Sequence, residues 1–400
     1  MLRGVDFVFI GLQPWDIPLG STAKNVAVEV ARNNRVLFVN PPLSRKAWFL
    51  HRFDPRVRMR MEVVEGKRDC LEQYSENLWV LTPRRVAESV GFVAHHGLYR
   101  WFNRHNDSRL AKEIAYAARR LGFGRYILLN DNSMLSGFYL KEMLKPLLYL
   151  YLLRDNVIAL GYHRRHGSRM QPELVAKSDL VFANSGYFAD YCRRYNPKTF
   201  MIGQGCDVSL FADEDGTLAV APELKPIRRP IVGYTGALAA HRLDIELLLH
   251  TAISRPQWSL VLVGPEDDTF RASRLHALPN VHFTTAQPIE RIPSFVKGFD
   301  VAINPQRINE VTSWNYPLKI DEYLALGKPV VATRTAFMGY FGSWVRLAST
   351  PHEFVEQLEM AIEEDTLELQ RARIAYAHTH TWEIFVGKIY EQIESVVKQM

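Results

Sequence analysis

Four hundred residues are too many for one small module and suit two domains of about 200 residues each. With 47% hydrophobic and 23% charged residues, the chain has the makings of large packed cores, which excludes extended disorder. The net charge of +6 is unevenly spread: residues 1–205 hold 31 Lys/Arg against 18 Asp/Glu (+13), and the rest hold 18 against 25 (−7). A basic half is thus joined to an acidic half, and the basic one suits an anionic partner: a membrane surface, a phosphorylated lipid or nucleic acid. Cys70, Cys192 and Cys206 lie far apart, which excludes a disulfide scaffold and a CxxC zinc site and fits a reducing, cytoplasmic compartment. Phe7–Ile10 is too short for a leader, and Met134–Leu153 is broken by Lys141, Glu142, Lys145 and Pro146, so no membrane span is expected.

In chain order, short apolar runs alternate with amphipathic stretches. Asp6–Gly11 reads as a buried strand, Ser21–Asn33 as a helix, and Arg35–Asn40 as the next strand. Strands follow at Leu78–Thr82, Tyr126–Asn130, Leu148–Leu153, Leu180–Ala183 and Thr199–Ile202, with helices at Ser108–Leu121 and Tyr187–Tyr195 between them. Gly203–Pro230 is rich in Gly, Asp, Glu and Pro and reads as an interdomain break. Beyond it the pattern restarts with strands at Ile231–Tyr234, Ser259–Gly264, Asn280–Phe283, Asp300–Asn304 and Pro329–Thr333. Helices are expected at Asp244–His250, Leu318–Leu326, Pro351–Glu364 and Trp382–Lys398. Unalternated apolar strands between helices imply parallel sheets covered on both faces. The expected architecture is α/β, with two doubly wound Rossmann-like domains facing across a cleft. Their bounds are 1–205, a linker over 206–230, a second domain over 231–380, and a last helix over 381–400. Ligands in such folds bind beyond the carboxyl ends of the strands.

The richest segment is NYPLKIDEYLALGKPVVAT, Asn315–Thr333. Pro317 suits the first helical position, which leaves the N–H groups of Leu318 and Lys319 open to a phosphate, and Lys319 adds a full charge. Glu322, one turn deeper on the same face as Leu318, can accept hydrogen bonds from a ribose diol. The bland alternative is a capped amphipathic helix with a surface Lys and Glu. A second candidate phosphate site is GYTGALAAHR, Gly233–Arg242: Gly236 allows close backbone approach, and Arg242 offers a planar fork of donors or is a solvated turn residue. Neither GxGxxG nor GxxxxGK[ST] is present, which argues against a P-loop and a nicotinamide enzyme.

These residues, with Gly264–Pro265 and Asn280–Phe283, resemble the donor half of retaining glycosyltransferases of family 4, which have the GT-B fold. Within that group the chain is similar to bacterial teichuronic acid biosynthesis glycosyltransferases at Tyr151–Asn156, Ser178–Ser185, Gly203–Asp207 and PLKIDEYLALGKPVV. The resemblance implies a nucleoside-diphosphate-sugar donor on the second domain, a glycan or polyprenyl-linked acceptor on the first, no metal or other cofactor, and a last helix that crosses back to the first domain. One departure stands out. The family pattern Glu-x7-Glu keeps its second member as Glu322, but the first position is Trp314, which could bound or stack on a donor sugar. Glu310 is near but off register.

On the acceptor side, Gly20–Ser21 matches the glycine loop before the family's first helix, although Ser21 is equally an ordinary helix cap. Where family members often place a histidine, this chain reads LLNDNS, Leu128–Ser133. Asp131 or Asp155 is then the candidate polar group, or Asp155 simply stabilises a turn. Asp213–Glu214–Asp215 fits a metal-binding DxD but lacks a preceding strand. His163 and His166 read as basic surface, and Ser185 lacks a GxSxG elbow. Arg45–Met61, with six Lys/Arg around Trp48, Phe49 and Leu50, could lie on anionic lipid or form a solvated loop. No recognition helix or aromatic RNA-binding motif supports nucleic acid as the partner.

Overall fold

The computed structural model describes residues 2–17, 21–159, 161–213 and 215–398. The chain divides into two compact units, Met1–Gly203 with Phe385–Met400, and Gln204–Ile384.

Among the described residues the first unit is built on eight strands: β1 (Asp6–Ile10), β2 (Arg35–Val39), β3 (Leu71–Ser75), β4 (Leu78–Leu81), β5 (Tyr126–Asp131), β6 (Leu148–Leu153), β7 (Leu180–Ala183) and β8 (Thr199–Met201). Their order is β3-β4-β2-β1-β5-β6-β7-β8, all parallel except the β3–β4 pair. Strands β1 and β6 are buried at every position and β5 at all but Tyr126, which is why they read as continuous apolar runs. By contrast β3, LEQYS, exposes four of its five residues and has no apolar run, so its sequence gave no strand signal. Helices α1 (Thr22–Ala31), α2 (Arg45–Leu50), α3 (Pro55–Val64), α4 (His96–Arg120), α5 (Leu140–Leu144), α6 (Gly161–Lys177) and α7 (Gly186–Arg193) fill the connections. Arg45–Met61, with a loop among its expected forms, is largely helical: Ser44 accepts the Ala47 N–H and Asp54 the Arg56 N–H, giving each short helix a cap.

The second unit holds a six-stranded parallel sheet in the order β11-β10-β9-β12-β13-β14, from β9 (Ile231–Thr235), β10 (Ser259–Val263), β11 (Val281–Thr284), β12 (Val301–Asn304), β13 (Val330–Thr333) and β14 (Arg346–Ala348). Successive strand residues pack into different clusters. Ile231, Val261, Ala302 and Val330 join one with Ile320, Tyr323 and Leu324; Val232, Leu260, Ile303 and Val331 join another with Leu248, Phe354 and Leu358. The helices are α8 (Ile245–Ser254), α9 (Asp268–Arg271), α10 (Ile292–Gly298), α11 (Lys319–Ala325), α12 (Pro351–Glu363), α13 (Leu367–Ala377) and α14 (Trp382–Val397), the last passing from this unit into the first at Phe385.

Residues 206–230, expected as a linker, group with the second unit. Phe211, Ala221 and Leu224 are buried in its core, and Ala221 N–H donates to the Ser294 carbonyl. Pro and acidic residues hide that packing because only a few well-spaced side chains carry it. No helix among the described residues is long and apolar enough to cross a membrane. The structure adds strands β3 and β14, the helices α2, α3, α5, α6, α9, α10 and α13, and the packed 206–230 segment to what the sequence pattern predicts.

Candidate functional site

The carboxyl edge of the second sheet gathers the residues singled out above. β9 ends at Thr235, and Gly236 follows with φ +133°, a conformation that side chains other than glycine's rarely adopt. Its N–H donates to the Val263 carbonyl at 2.9 Å, and a Cβ at Gly264 would fall 2.0 Å from the Gly236 carbonyl oxygen. Two glycine turns therefore pack back to back. A Cβ at Gly236 would also stand 3.4 Å from both Cε and Nζ of Lys319, and that ammonium lies 5.1 Å from the centroid of the Tyr234 ring. The structure thus brings together Gly236, in the turn after β9, and Lys319, at the start of α11, from segments distant in sequence.

α11 follows Pro317 and Leu318. Pro317 opens a tight turn, its carbonyl accepting the Ile320 N–H at 3.0 Å, and Leu318 accepts from Asp321 and Glu322. The N–H groups of Leu318 and Lys319 have no acceptor among the described residues. The helix has only seven residues and no side-chain cap, so its attraction for an anion lies in those open N–H groups and the Lys319 charge rather than in a long macrodipole. Glu322 is half-buried, and its carboxylate makes no hydrogen bond or ion pair among the described residues. Burial pushes its carboxyl up to about 7, Lys319 pulls against that, and the neighbouring Asp321 adds to it. An ammonium, two amides and an unspent carboxylate on one turn can hold an anion and a diol together.

Unpartnered polar atoms collect along the same edge. Thr284 Oγ1, Asn304 Nδ2, Gln306 Oε1, Thr333 Oγ1 and Thr335 Oγ1 are buried without a hydrogen-bond partner, and all lie at or just beyond strand ends. Buried polar groups are ordinarily satisfied, so such a row marks where water or a ligand belongs. Arg242 is exposed on the turn Ala239–Leu243, which is tied to the segment after β12 by Arg307 N–H to the Arg242 carbonyl (2.8 Å) and Asp244 N–H to Pro305 (2.9 Å). Among the described residues its guanidinium makes no ion pair and touches neither Lys319 nor Glu322. Trp314 is half-buried between β12 and α11, and Glu310 is exposed on the Asn309–Thr312 turn.

Sequence reasoning missed the support behind this edge. Asp321 is fully buried; its carboxylate accepts the Tyr316 hydroxyl (2.7 Å) and pairs with His380 Nδ1 (2.9 Å). The Tyr323 hydroxyl accepts the Thr235 N–H at 2.9 Å and so ties α11 to β9. The available signal was an acid set next to the apolar residues Ile320, Tyr323 and Leu324 that face the core.

The first unit treats its candidates differently. Asp131, at the end of β5, is buried in a bidentate pair with Arg154 (2.7 and 3.0 Å), and Arg154 also pairs with Asp155. Burial would lower the Arg154 pKa, but the two carboxylates hold it raised. This corrects the expectation of Asp131 as an open polar group: it is engaged on both oxygens. Gly20 lies outside the described residues. Ser21 begins α1 through its carbonyl, which accepts the Asn25 N–H, while its buried Oγ has no partner, so it is not a side-chain cap. Beyond β2, β4 and β5 a cavity of about 540 Å³ is lined by Pro41, Lys46, Phe92, Asn103 and Asp107 among others. Burial pushes the Asp107 carboxyl up to about 7 although it accepts the Gly137 and Tyr139 N–H groups. His166, expected on the basic surface, is buried against the Tyr99 ring at 3.7 Å. Of the acidic triplet, Asp213 pairs with Lys297 and Asp215 binds Thr217, while Glu214 lies outside the described residues.

Residues 229–364 match the family described as Glycosyl transferases group 1. Over 107 residues the chain is 32% identical to TuaH of Bacillus subtilis (strain 168), a protein named for teichuronic acid biosynthesis as a glycosyltransferase; the match spans 26% of this chain and 26% of that relative's length. Sucrose-phosphate synthase from Thermosynechococcus elongatus superposes with a TM-score of 0.67 at 16% identity, covering 98% of this chain and 100% of that one. Anabaena Alr3699/HepE, solved in complex with UDP and glucose, gives the same TM-score, identity and coverage. A Burkholderia vietnamiensis trehalose-phosphate synthase (UDP-forming) gives 0.64 at 12%, covering 97% and 96%. The chain therefore has the GT-B fold, and the similarity to the group 1 glycosyl transferases is confined to its 229–364 segment.

Proposed function

We propose that the protein is a retaining, metal-independent glycosyltransferase. It moves a sugar from a nucleoside diphosphate to a glycan or polyprenyl-linked acceptor in bacterial cell-surface polysaccharide synthesis. The observation that carries this reading is the unspent pair Lys319 and Glu322 on one turn of α11, against the Gly236 turn. In this reading Lys319 and the Leu318 and Lys319 amides stabilise charge growing on the departing diphosphate, Arg242 adds to it from the adjoining turn, and Glu322 holds the ribose. The acceptor hydroxyl attacks on the face the diphosphate leaves, loses its proton to that leaving group, and no enzyme nucleophile is needed. Ser21 and the 540 Å³ cavity belong to the acceptor side.

A thermal-shift screen over UDP-, GDP-, ADP- and dTDP-sugars tests the donor, since a bound ligand raises apparent stability by mass action. Transfer with EDTA present, and the product's anomeric configuration by NMR, test the other two terms. Trp314 at the first position of the Glu-x7-Glu pattern favours a second reading, a non-catalytic glycan-binding subunit. A glycan that stabilises the protein when no nucleotide does would select it. An epimerase of the same fold would alter the donor with no acceptor present.

An anionic membrane surface completes the proposal, as the place where a lipid-linked acceptor is met. Phe49, Leu50 and Phe53 are 67%, 65% and 78% exposed at the α2–α3 junction, while Lys46, Arg52 and Arg58 around them have no carboxylate partner among the described residues. Vesicle sedimentation should show binding to anionic but not neutral vesicles, released by salt. Equal sedimentation with both would remove this partner and leave the transfer reading intact.

A further inference from the structure

We infer that His380 is a positioning residue for the donor site: through the buried Asp321 carboxylate it fixes the helix face that carries Lys319 and Glu322. The inference rests on the donor reading of α11. That helix has seven residues and no side-chain cap, and a helix so short has little stability of its own. Its orientation must come from what anchors it. One anchor is the Tyr323 hydroxyl at the end of β9, where it accepts the Thr235 N–H. Core packing of Ile320 and Leu324 holds the helix on the sheet, but apolar contacts fix its rotation less sharply than a second directional anchor does. Asp321, two positions back and on another face, supplies the second.

The Asp321 contacts suit that task. Its side chain is fully buried, with one oxygen taking the Tyr316 hydroxyl and the other His380 Nδ1. A carboxylate at such depth is tolerated only when paired and hydrogen-bonded, so its two partners dictate where it sits. Burial alone pushes the Asp321 carboxyl up, and His380 and Tyr316 pull it back towards the charged form.

His380 is itself held independently of Asp321. Its carbonyl accepts the Cys206 N–H at 2.7 Å, and Cys206 and Thr381 form a parallel bridge. Its ring meets Tyr376 edge-on at 4.8 Å. Gly205 completes the seat, because a Cβ there would fall 2.3 Å from the Trp382 ring. The imidazole is therefore a fixed post, and Asp321 is the tether from α11 to it. A purely stabilising ion pair would need no such seat, since well-packed apolar residues serve stability as well.

The test uses the full chain and titration calorimetry with UDP, GDP, ADP and dTDP. His380→Asn puts a side-chain amide near the Nδ1 position and should keep the wild-type Kd within about threefold. His380→Phe keeps a ring against Tyr376 but removes the donor, and should weaken nucleotide binding about tenfold or more. Should that variant fail to fold, Asp321→Leu/His380→Phe replaces the pair by apolar groups, leaves only the Tyr316 hydroxyl without its acceptor, and is expected to stay folded with a modestly lowered melting temperature. Its Kd should stay about tenfold weak, because the directional tether is gone. Wild-type Kd in the folded double variant, or His380→Asn binding no better than His380→Phe, overturns the inference while the donor reading stands. If the wild-type protein binds none of the four nucleotides, the donor reading falls and His380 has nothing to position.

Discussion

The carboxyl edges of the two sheets carry the same kinds of charged side chain and use them in opposite ways. In the first unit Asp131 is closed on Arg154 by two hydrogen bonds, and the remaining guanidinium nitrogen goes to Asp155. In the second, Lys319 and Glu322 are neighbours on one turn, yet among the described residues neither makes an ion pair, and five buried polar atoms along the same sheet edge lack partners. A carboxylate that has met its arginine is finished chemistry. One left half-buried and unpaired carries a standing cost that folding alone does not explain. That difference, more than the identity of any one residue, is what favours the second unit in the proposed donor reading.

Breaking the closed edge should have the largest effect, and it should be on stability. Asp131→Ala leaves Arg154 buried with only the half-exposed Asp155 beside it. The expected loss is about 3–5 kcal/mol of unfolding free energy by urea denaturation. Nucleotide binding, measured where the variant is still folded, should be unchanged. Weakened binding in a fully folded Asp131→Ala protein would mean that the first edge is not merely structural.

Opening the other edge should do the reverse. Lys319→Ala removes a charge whose value grows as the diphosphate leaves, so kcat/KM for sugar transfer should fall by about 2–3 kcal/mol with kcat falling alongside. Its melting temperature should hold, because Lys319 has no ion pair to lose. Turnover at the wild-type rate would return Lys319 to the ordinary surface.

This contrast was only half legible in the sequence. The buried strands were readable because a strand covered on both faces has no choice but to be apolar, as β6 (LYLYLL) shows. The edge strands β3 and β14 were not, since LEQYS and RLA pack too little to leave a pattern. Lys319, Glu322 and Gly236 could be named because a phosphate-holding turn needs amides, a cation and a glycine in fixed local spacing. Asp131 and Asp321 could not be sorted, because what decides between an open and a closed carboxylate is its partner. Arg154 stands 23 positions from Asp131, and His380 stands 59 from Asp321. His166 was misread for the same reason: its burial comes from Tyr99, on another helix.

Gly236 sharpens the comparison on a smaller scale. An alanine there would be strained at φ +133°, would crowd the Tyr234 hydroxyl at 3.1 Å and would bring its Cβ into contact with the Lys319 side chain at 3.4 Å. The strain should cost about 1–2 kcal/mol in thermal unfolding. The methyl, occupying the space between the turn and Lys319, should also weaken UDP binding, which strain alone in a remote turn would not do. Equal nucleotide affinity in Gly236→Ala would separate the two glycine turns from the ligand.

The smallest expected effect tests whether Glu322 is unspent. Its folded-state pKa of about 7 lies above the ordinary glutamate value near 4.3. A raised carboxylate binds its proton more tightly in the folded state, so its contribution to stability is fully present below pH of about 4 and is lost as pH rises towards 7. Above 7 both states are ionised and the loss is complete. Glu322→Gln is neutral throughout and lacks this loss. The stability difference between the variant and the wild-type protein should therefore be flat at low pH, move in the variant's favour between pH of about 4 and 7, and be flat again beyond. Its size should be about 1 kcal/mol once solvent screening of a half-exposed group is allowed for. Nucleotide binding should narrow the window: hydroxyls donating to Glu322 favour its ionised form, so saturating UDP should move the upper limb to lower pH. A difference that ignores pH, with and without UDP, would mean that Glu322 has found a partner, and the second edge would then be as closed as the first.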